Sequence, residues 1–251
     1  MSPISIEDPA ALATIALALF LGGVLKGAIG MGSPVLAIPV MASFFDVRLA
    51  VVIMVVPNLM TNLWQLWTYR AHRLSGAFPY VFAGAGMVGT FLGTVVLVLV
   101  SQAFLKLLVA GAVIVYVGLR LARPDFALGD RAARALAIPM GAIAGALQGA
   151  AGLSAPVSVS FLNAMRLGRE VFIVTISLLF VGMSLVQIPM LTALGLMTAE
   201  TALLGAAALS PLLAGMPVGG FLAARLSPER FDRIVIVVLV GLALKLVIDV
   251  I

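Results

Sequence analysis

Residues Gly23 to Val35 read GVLKGAIGMGSPV, and residues Gly145 to Val157 read GALQGAAGLSAPV. At an offset of 122, seven of the thirteen positions are identical, among them Gly23/Gly145, Gly27/Gly149, Gly30/Gly152 and Pro34/Pro156. Each copy sets a glycine cluster and a proline inside an apolar run where an unbroken helix would otherwise form. Glycine adopts backbone conformations that other residues avoid, and proline lacks an N–H and clashes with the preceding turn. An interruption made twice in this way marks the two breaks as the expected working part of the chain.

Around the breaks the chain is strongly apolar. Of 251 residues 63% are hydrophobic and only 10% charged, and the mean hydropathy is +1.23. Soluble domains run at about 45–50% apolar and about 25% charged, so the composition is that of an integral membrane protein. At about 20 residues per crossing there is room for roughly eight spans and none for a separate soluble domain. The net charge of +5 comes from arginines in short loops between apolar runs, the usual bias of cytoplasmic loops, and does not point to nucleic acid. With no cysteine, disulfides, thiol chemistry and thiolate metal sites are excluded. Glu7 and Asp8 precede the first apolar run, unlike the basic start of a signal peptide, so that run is expected in the mature protein.

The first run, Ala10 to Ile29, is long enough to cross most of a bilayer, and after the break Pro34 to Phe45 supplies only twelve residues. At about 1.5 Å per residue the second piece reaches roughly 18 Å, which fits the return arm of a re-entrant hairpin (10–45) better than a full span. Full spans are expected at 49–69, 77–100 and 103–121, followed by a charged cytoplasmic linker at 123–134. The order then repeats: a hairpin over 135–164 and spans at 171–194, 201–224 and 231–248. Arg48 matches Arg169 at offset 121, Asn62 matches Ser184 and Gln65 matches Gln187 at 122, and Ala85, Gly89 and Gly93 match Gly215, Gly219 and Ala223 at 130. The chain therefore reads as two repeats, 1–122 and 135–251, each a broken hairpin plus three transmembrane helices.

With the N-terminus outside, 11 of the 15 basic residues fall on one face, which is then cytoplasmic. Three full spans in the first repeat leave the second starting from inside, so the two are inverted. Inverted repeats are characteristic of secondary transporters, whose sites lie near the midplane between the repeats. Arg48, on the outer side, then reads as the twin of the inner Arg169.

A break in a membrane helix is tolerated where it is buried in protein or lines a wet cavity. Arms beginning at Pro34 and Pro156 present helix N-termini, with free N–H groups and partial positive charge suited to an anion. The candidate binding residues at the tips are Gly30, Met31, Gly32 and Ser33 in the first copy and Gly152, Leu153 and Ser154 in the second. The other reading is that the glycines serve tight helix packing and the prolines a kink. Lys26, inside the first run, needs a partner or a cavity; with no acidic residue in the spans, a bound anion is a suitable counter-charge, and snorkelling of its stem is the alternative. Its twin is Gln148. Asn58, Asn62 and Gln65 share one helix face, as do Ser177, Ser184 and Gln187, either lining a polar path or joining helices by hydrogen bonds. Trp64 and Trp67 fit the aromatic belt, and Gly89, Gly93, Gly215 and Gly219 fit packing. The lone His72 sits among loop arginines, and Glu170 and Asp249 stand at span ends, so neither a metal site nor a Ser-His-Asp arrangement is expected.

The doubled glycine- and proline-containing hairpin, the charged middle stretch and about eight apolar segments make the whole chain resemble the TauE/SafE family of sulfite exporters. The matching motif positions are Gly23, Lys26, Gly27, Gly30, Gly32 and Pro34, then Gly145, Gln148, Gly149, Gly152 and Pro156. Ser154 and Ala155 stand where the first copy has Gly32 and Ser33. The resemblance implies movement of small anions, sulfite or organosulfonates such as sulfoacetate, across the bacterial inner membrane. The expectation is thus an all-α, polytopic transporter without cofactor or enzymatic activity. Its partners are a small anionic substrate and the lipid bilayer, and a homo-oligomer is left open. Export is favoured, with proton-coupled uptake of an organosulfonate or carboxylate, or an intramembrane enzyme acting through Ser33 or Ser154, as alternatives.

Overall fold

The computed structural model describes residues 9–30, 33–122 and 127–223 and isolated positions beyond them. Within these it is all-helical: α1 (Pro9–Ile29), α2 (Ser33–Phe44), α3 (Val47–Thr68), α4 (Phe78–Leu99), α5 (Gln102–Ala122), α6 (Asp130–Ala151), α7 (Ala155–Ala164), α8 (Arg169–Ala193) and α9 (Ala199–Ala223), with one 3-10 turn at Arg70–His72. Six of the described helices, α1, α3, α4, α5, α8 and α9, are long and apolar enough to cross a membrane. The protein is thus a polytopic, all-α membrane protein. The expected last span, 231–248, falls almost wholly outside the described residues, as do 123–126 of the expected linker.

Helix α6 begins at Asp130, so the last five residues of the stretch read as linker are its first turns. Asp130 in the first turn complements the positive end of the helix dipole, and the charges at 130, 131 and 134 let the helix start beyond its apolar part. Elsewhere the described helices cover apolar runs read in the sequence.

Both breaks are made in the same way. Gly30 (φ +82°) and Gly152 (φ +68°) lie in the left-handed region, and their N–H groups donate to the carbonyls of Lys26 and Gln148, each at 2.8 Å. These are glycine caps that close a helix C-terminus. The chain then doubles back: a Cβ placed on Gly22 would lie 2.9 Å from the Ser33 carbonyl oxygen, so the start of α2 lies against α1 two turns before its end.

The helix pairings are exchanged between the halves. Helix α1 packs on α9 as α6 packs on α4; α3 packs on α9 as α8 packs on α4; and α3 packs on α8. Bare glycines make the two tightest seams. Cβ atoms on Gly23 and Gly27 would meet the carbonyl oxygens of Leu212 and Met216 at 2.1 and 1.9 Å, and Cβ atoms on Gly215 and Gly219 would meet those of Phe20 and Val24 at 2.1 and 1.9 Å. On the other side, Gly145 and Gly149 face Gly86 and Thr90, while Gly89 and Gly93 face Ala142 and Ala146, all at 2.0–2.4 Å. The contacts therefore pair Gly89 with Gly215 and Gly93 with Gly219, an offset of 126, one helical turn from the 130 read in the sequence. A ladder of small residues four apart matches itself after a one-turn shift, so sequence comparison alone could not choose between the two registers.

Candidate functional site

Where the two halves meet, the helices bury an unusual set of polar side chains for an apolar interior: Lys26, Ser33, Asn58, Asn62, Gln65, Thr90, Gln148, Ser154, Ser177, Ser184 and Gln187 are all buried. Lys26 is 1% exposed and its Nζ donates to Asn62 Oδ1 at 3.0 Å. Asn62 Nδ2 in turn donates to Asn58 O at 2.7 Å and Asn58 Oδ1 at 2.9 Å. The spacing of four along α3 stacks Asn58 under Asn62, and Asn62 meets α1 through Lys26. Among the described residues the one ion pair is Arg48–Asp46, at the start of α3, so Lys26 has no carboxylate against it there.

The second half carries a different arrangement. Gln187 Nε2 donates to the carbonyls of Gln148 and Gly149 at 3.5 and 3.4 Å, tying α8 to the end of α6. Ser154 Oγ and Ser158 Oγ lie 3.2 Å apart, and Ser158 Oγ also donates to Ser154 O at 3.0 Å. Gln65 Oε1 accepts from Ser177 Oγ at 3.3 Å, joining α3 to α8 across the middle. The α1 end is held from α8 as well, by Arg169 Nη2 donating to Gly27 O and Ala28 O at 3.4 and 3.5 Å.

A small cavity of about 10 Å³ lies between the breaks, lined by Pro34 and Val35 of the first and by Gln148, Gly152, Leu153, Ser154 and Ala155 of the second, with Val159 and Phe180. That is room for about one water molecule. Among the described residues five buried side-chain atoms have no hydrogen-bond partner: Ser33 Oγ, Asn58 Nδ2, Thr90 Oγ1, Gln148 Oε1 and Ser184 Oγ. Buried polar atoms are nearly always paired, and an unpaired one costs about 1–3 kcal/mol. Each of them is unused hydrogen-bonding capacity inside the helix bundle.

The structure thus brings Gln148, Gly152, Leu153 and Ser154 to one cavity. Gly30 packs instead toward Ile173 of α8, whose Cγ1 would lie 2.3 Å from an added Cβ. Lys26, Asn58 and Asn62 form a linked group on α1 and α3 and do not line the cavity; nor do Gln65, farther along α3, or Ser184 and Gln187 on α8. Met31 and Gly32 lie outside the described residues. Sequence reading passed over Thr90, which with Thr94 forms a polar i, i+4 pair on α4; Thr94 Oγ1 donates to Thr90 O at 2.8 Å. It also passed over Phe180, the counterpart of Asn58 at offset 122. The threonine spacing was a visible signal, while an aromatic in an apolar helix gives none.

A family model described as Sulfite exporter TauE/SafE matches residues 15–246, nearly the whole chain. No curated protein and no solved structure matches it.

Proposed function

The chain belongs to the sulfite exporter TauE/SafE family, a family of membrane transporters, and from that premise we propose that it is a secondary transporter of a small oxyanion, sulfite or an organosulfonate, acting at the bacterial inner membrane. The observation that carries the reading is Lys26: buried, donating to Asn62, and without a carboxylate partner among the described residues. A cation deep in a membrane protein is costly unless something neutralises it, and a transported anion does so. Asn58 Nδ2 and Ser33 Oγ, buried and unpaired, add hydrogen-bond donors.

In this proposal the two halves are inverted repeats, and the exchanged pairing of α1 with α9 and α4 with α6 supports it. Alternating access then arises as the hairpins and the α3–α8 pair rock along the glycine seams, widening the small cavity to one side and then the other. The N-terminus lies outside, as the arginine distribution favours. An anion leaving a negative-inside cell gains about 2.3 kcal/mol per charge per 100 mV, which suffices for export without a proton relay.

The test is sulfite flux in proteoliposomes held at equal pH on both sides under an imposed potential. Flux toward the positive side, growing with the potential, is expected. Flux that ignores the potential sinks the proposal.

A further inference from the structure

The two halves of the polar centre are not chemical copies. At offset 122 the counterparts of Lys26, Asn58 and Asn62 are Gln148, Phe180 and Ser184. In the first half the ammonium, Asn62 and Asn58 form one hydrogen-bonded line. In the second, Gln148 and Ser184 are 4% and 1% exposed, yet Gln148 Oε1 and Ser184 Oγ have no partner, and Gln148 and Phe180 line the small cavity beside Pro34 and Ser154. One half offers a fixed charge. The other offers uncharged polar atoms and an aromatic wall.

From this asymmetry, and resting on the transporter reading above, we propose that the centre selects monoanions: the charged oxygens lie toward Lys26 and Asn58, and the uncharged, hydroxyl-bearing part of the substrate lies toward Gln148 and Ser184. For sulfur oxyanions this means hydrogensulfite rather than sulfite dianion, and a simple sulfonate rather than sulfate or sulfoacetate.

The charge count carries the argument. Among the described residues Lys26 is the one buried cation. Helix α2, packed on α1, carries no charged residue. On α3 the cation is Arg48, already paired with Asp46 at the helix start. On α9 the charged residue is Glu200, exposed in the first turn. On α8 the charged residues are Arg169, which is exposed and holds the α1 carbonyls, and the part-exposed Glu170. The helix ends add little net charge, because each break sets a C-terminus beside an N-terminus and their half-charges oppose. Helix α5 carries the part-exposed Lys106, and α6 carries its charges at 130, 131 and 134, more than three turns before Gln148. Among the described residues about one buried positive charge is therefore available, and a dianion would leave a second negative charge unmatched in a low-dielectric interior. The unpaired acceptor Gln148 Oε1 requires a donor, which the O–H of a singly protonated oxyanion supplies and a fully ionised one lacks.

The test is anion-dependent thermal stabilisation of the purified full chain in detergent, with methanesulfonate, sulfite, sulfoacetate and sulfate as probes and chloride as the control. Methanesulfonate, which does not titrate between about pH 6 and 8, is the reference at each pH, so that any titration of the protein itself cancels in the comparison with sulfite. Sulfite should bind in proportion to its monoanion fraction, weakening as pH rises, and sulfate and sulfoacetate should bind at least about tenfold more weakly, the equivalent of 1.4 kcal/mol. Gln148→Ala should weaken hydrogensulfite more than methanesulfonate, and Gln148→Lys, supplying the second cation, should shift preference toward the dianions. Dianions binding the wild-type chain as tightly as monoanions, or methanesulfonate following the same pH dependence as sulfite, overturns the proposal while leaving the transporter reading in place. Failure of every anion, with flux also absent, overturns both.

Discussion

Substituting Gly89 by alanine tests the glycine seam between α4 and α6 with a calculable strain. The added Cβ would lie 2.0 Å from the carbonyl oxygen of Ala142, against the 3.4 Å at which ordinary contact begins, so the two helices must separate locally by about 1.4 Å. The obstacle is backbone on a packed helix, with no flexible side chain to swing aside. Overpacking of this kind costs typically about 1–3 kcal/mol, and the seam has neighbours that cannot absorb the shift, since Gly93 and Gly145 are equally tight at 2.1 and 2.0 Å. Gly111, on α5, is the control: an added Cβ there meets nothing within 4 Å, so Gly111→Ala should stabilise its helix by about 0.5–1 kcal/mol. The assay is reversible unfolding of the purified chain in mixed micelles, reading both variants against wild type. Opposite signs are expected. Gly89→Ala as stable as Gly111→Ala would refute the packing distances on which the fold rests.

Further outcomes follow from other contacts. Gly152→Ala should lose at least about 1–2 kcal/mol in the same unfolding assay, because its φ of +68° is one that residues with a Cβ resist and the added Cβ would lie 2.2 Å from Ile38 Cδ1; an unchanged stability would contradict the left-handed cap. Arg48→Ala removes the Nε donation to Leu97 O at 3.0 Å and the Nη2 donation to Val100 O and should cost about 1.5–3 kcal/mol as bonds to a charged donor; Arg48→Lys should restore little, since an ammonium lacks the fork that spans two carbonyls. Asn62→Asp supplies Lys26 with the carboxylate it lacks, and is expected to keep or raise the melting temperature while abolishing anion-dependent stabilisation. Unchanged anion binding in that variant would place the substrate away from Lys26.

What could be read from the sequence divides along physical lines. Helices and breaks were legible because apolar run length, glycine and proline act locally: Gly30 and Gly152 both end their helices as the doubled motif led one to expect. The start of α6 was not, since Asp130, Arg131 and Arg134 look like a loop when a helix extends past its apolar part. The register of the seams was ambiguous because Gly89 and Gly93 repeat at the helical period. That α1 would pair with α9 and α4 with α6 depends on tertiary packing, which one chain of letters does not reveal. In the site, polarity inside apolar runs exposed Lys26, Asn62 and Gln148 as candidates. The bond from Lys26 to Asn62, against the unpaired state of Gln148 and Ser184, arises only when the helices are brought together.

The central claim is that Lys26 is the counter-charge of a transported anion, and the most direct measurement is methanesulfonate-dependent thermal stabilisation of Lys26→Met beside wild type. Methionine keeps much of the stem volume and removes a buried charge, a change that is often neutral or stabilising for the fold. The account predicts a folded variant, as stable as wild type without ligand, whose melting temperature no longer responds to the anion. A folded Lys26→Met chain that is stabilised as strongly as wild type would contradict it.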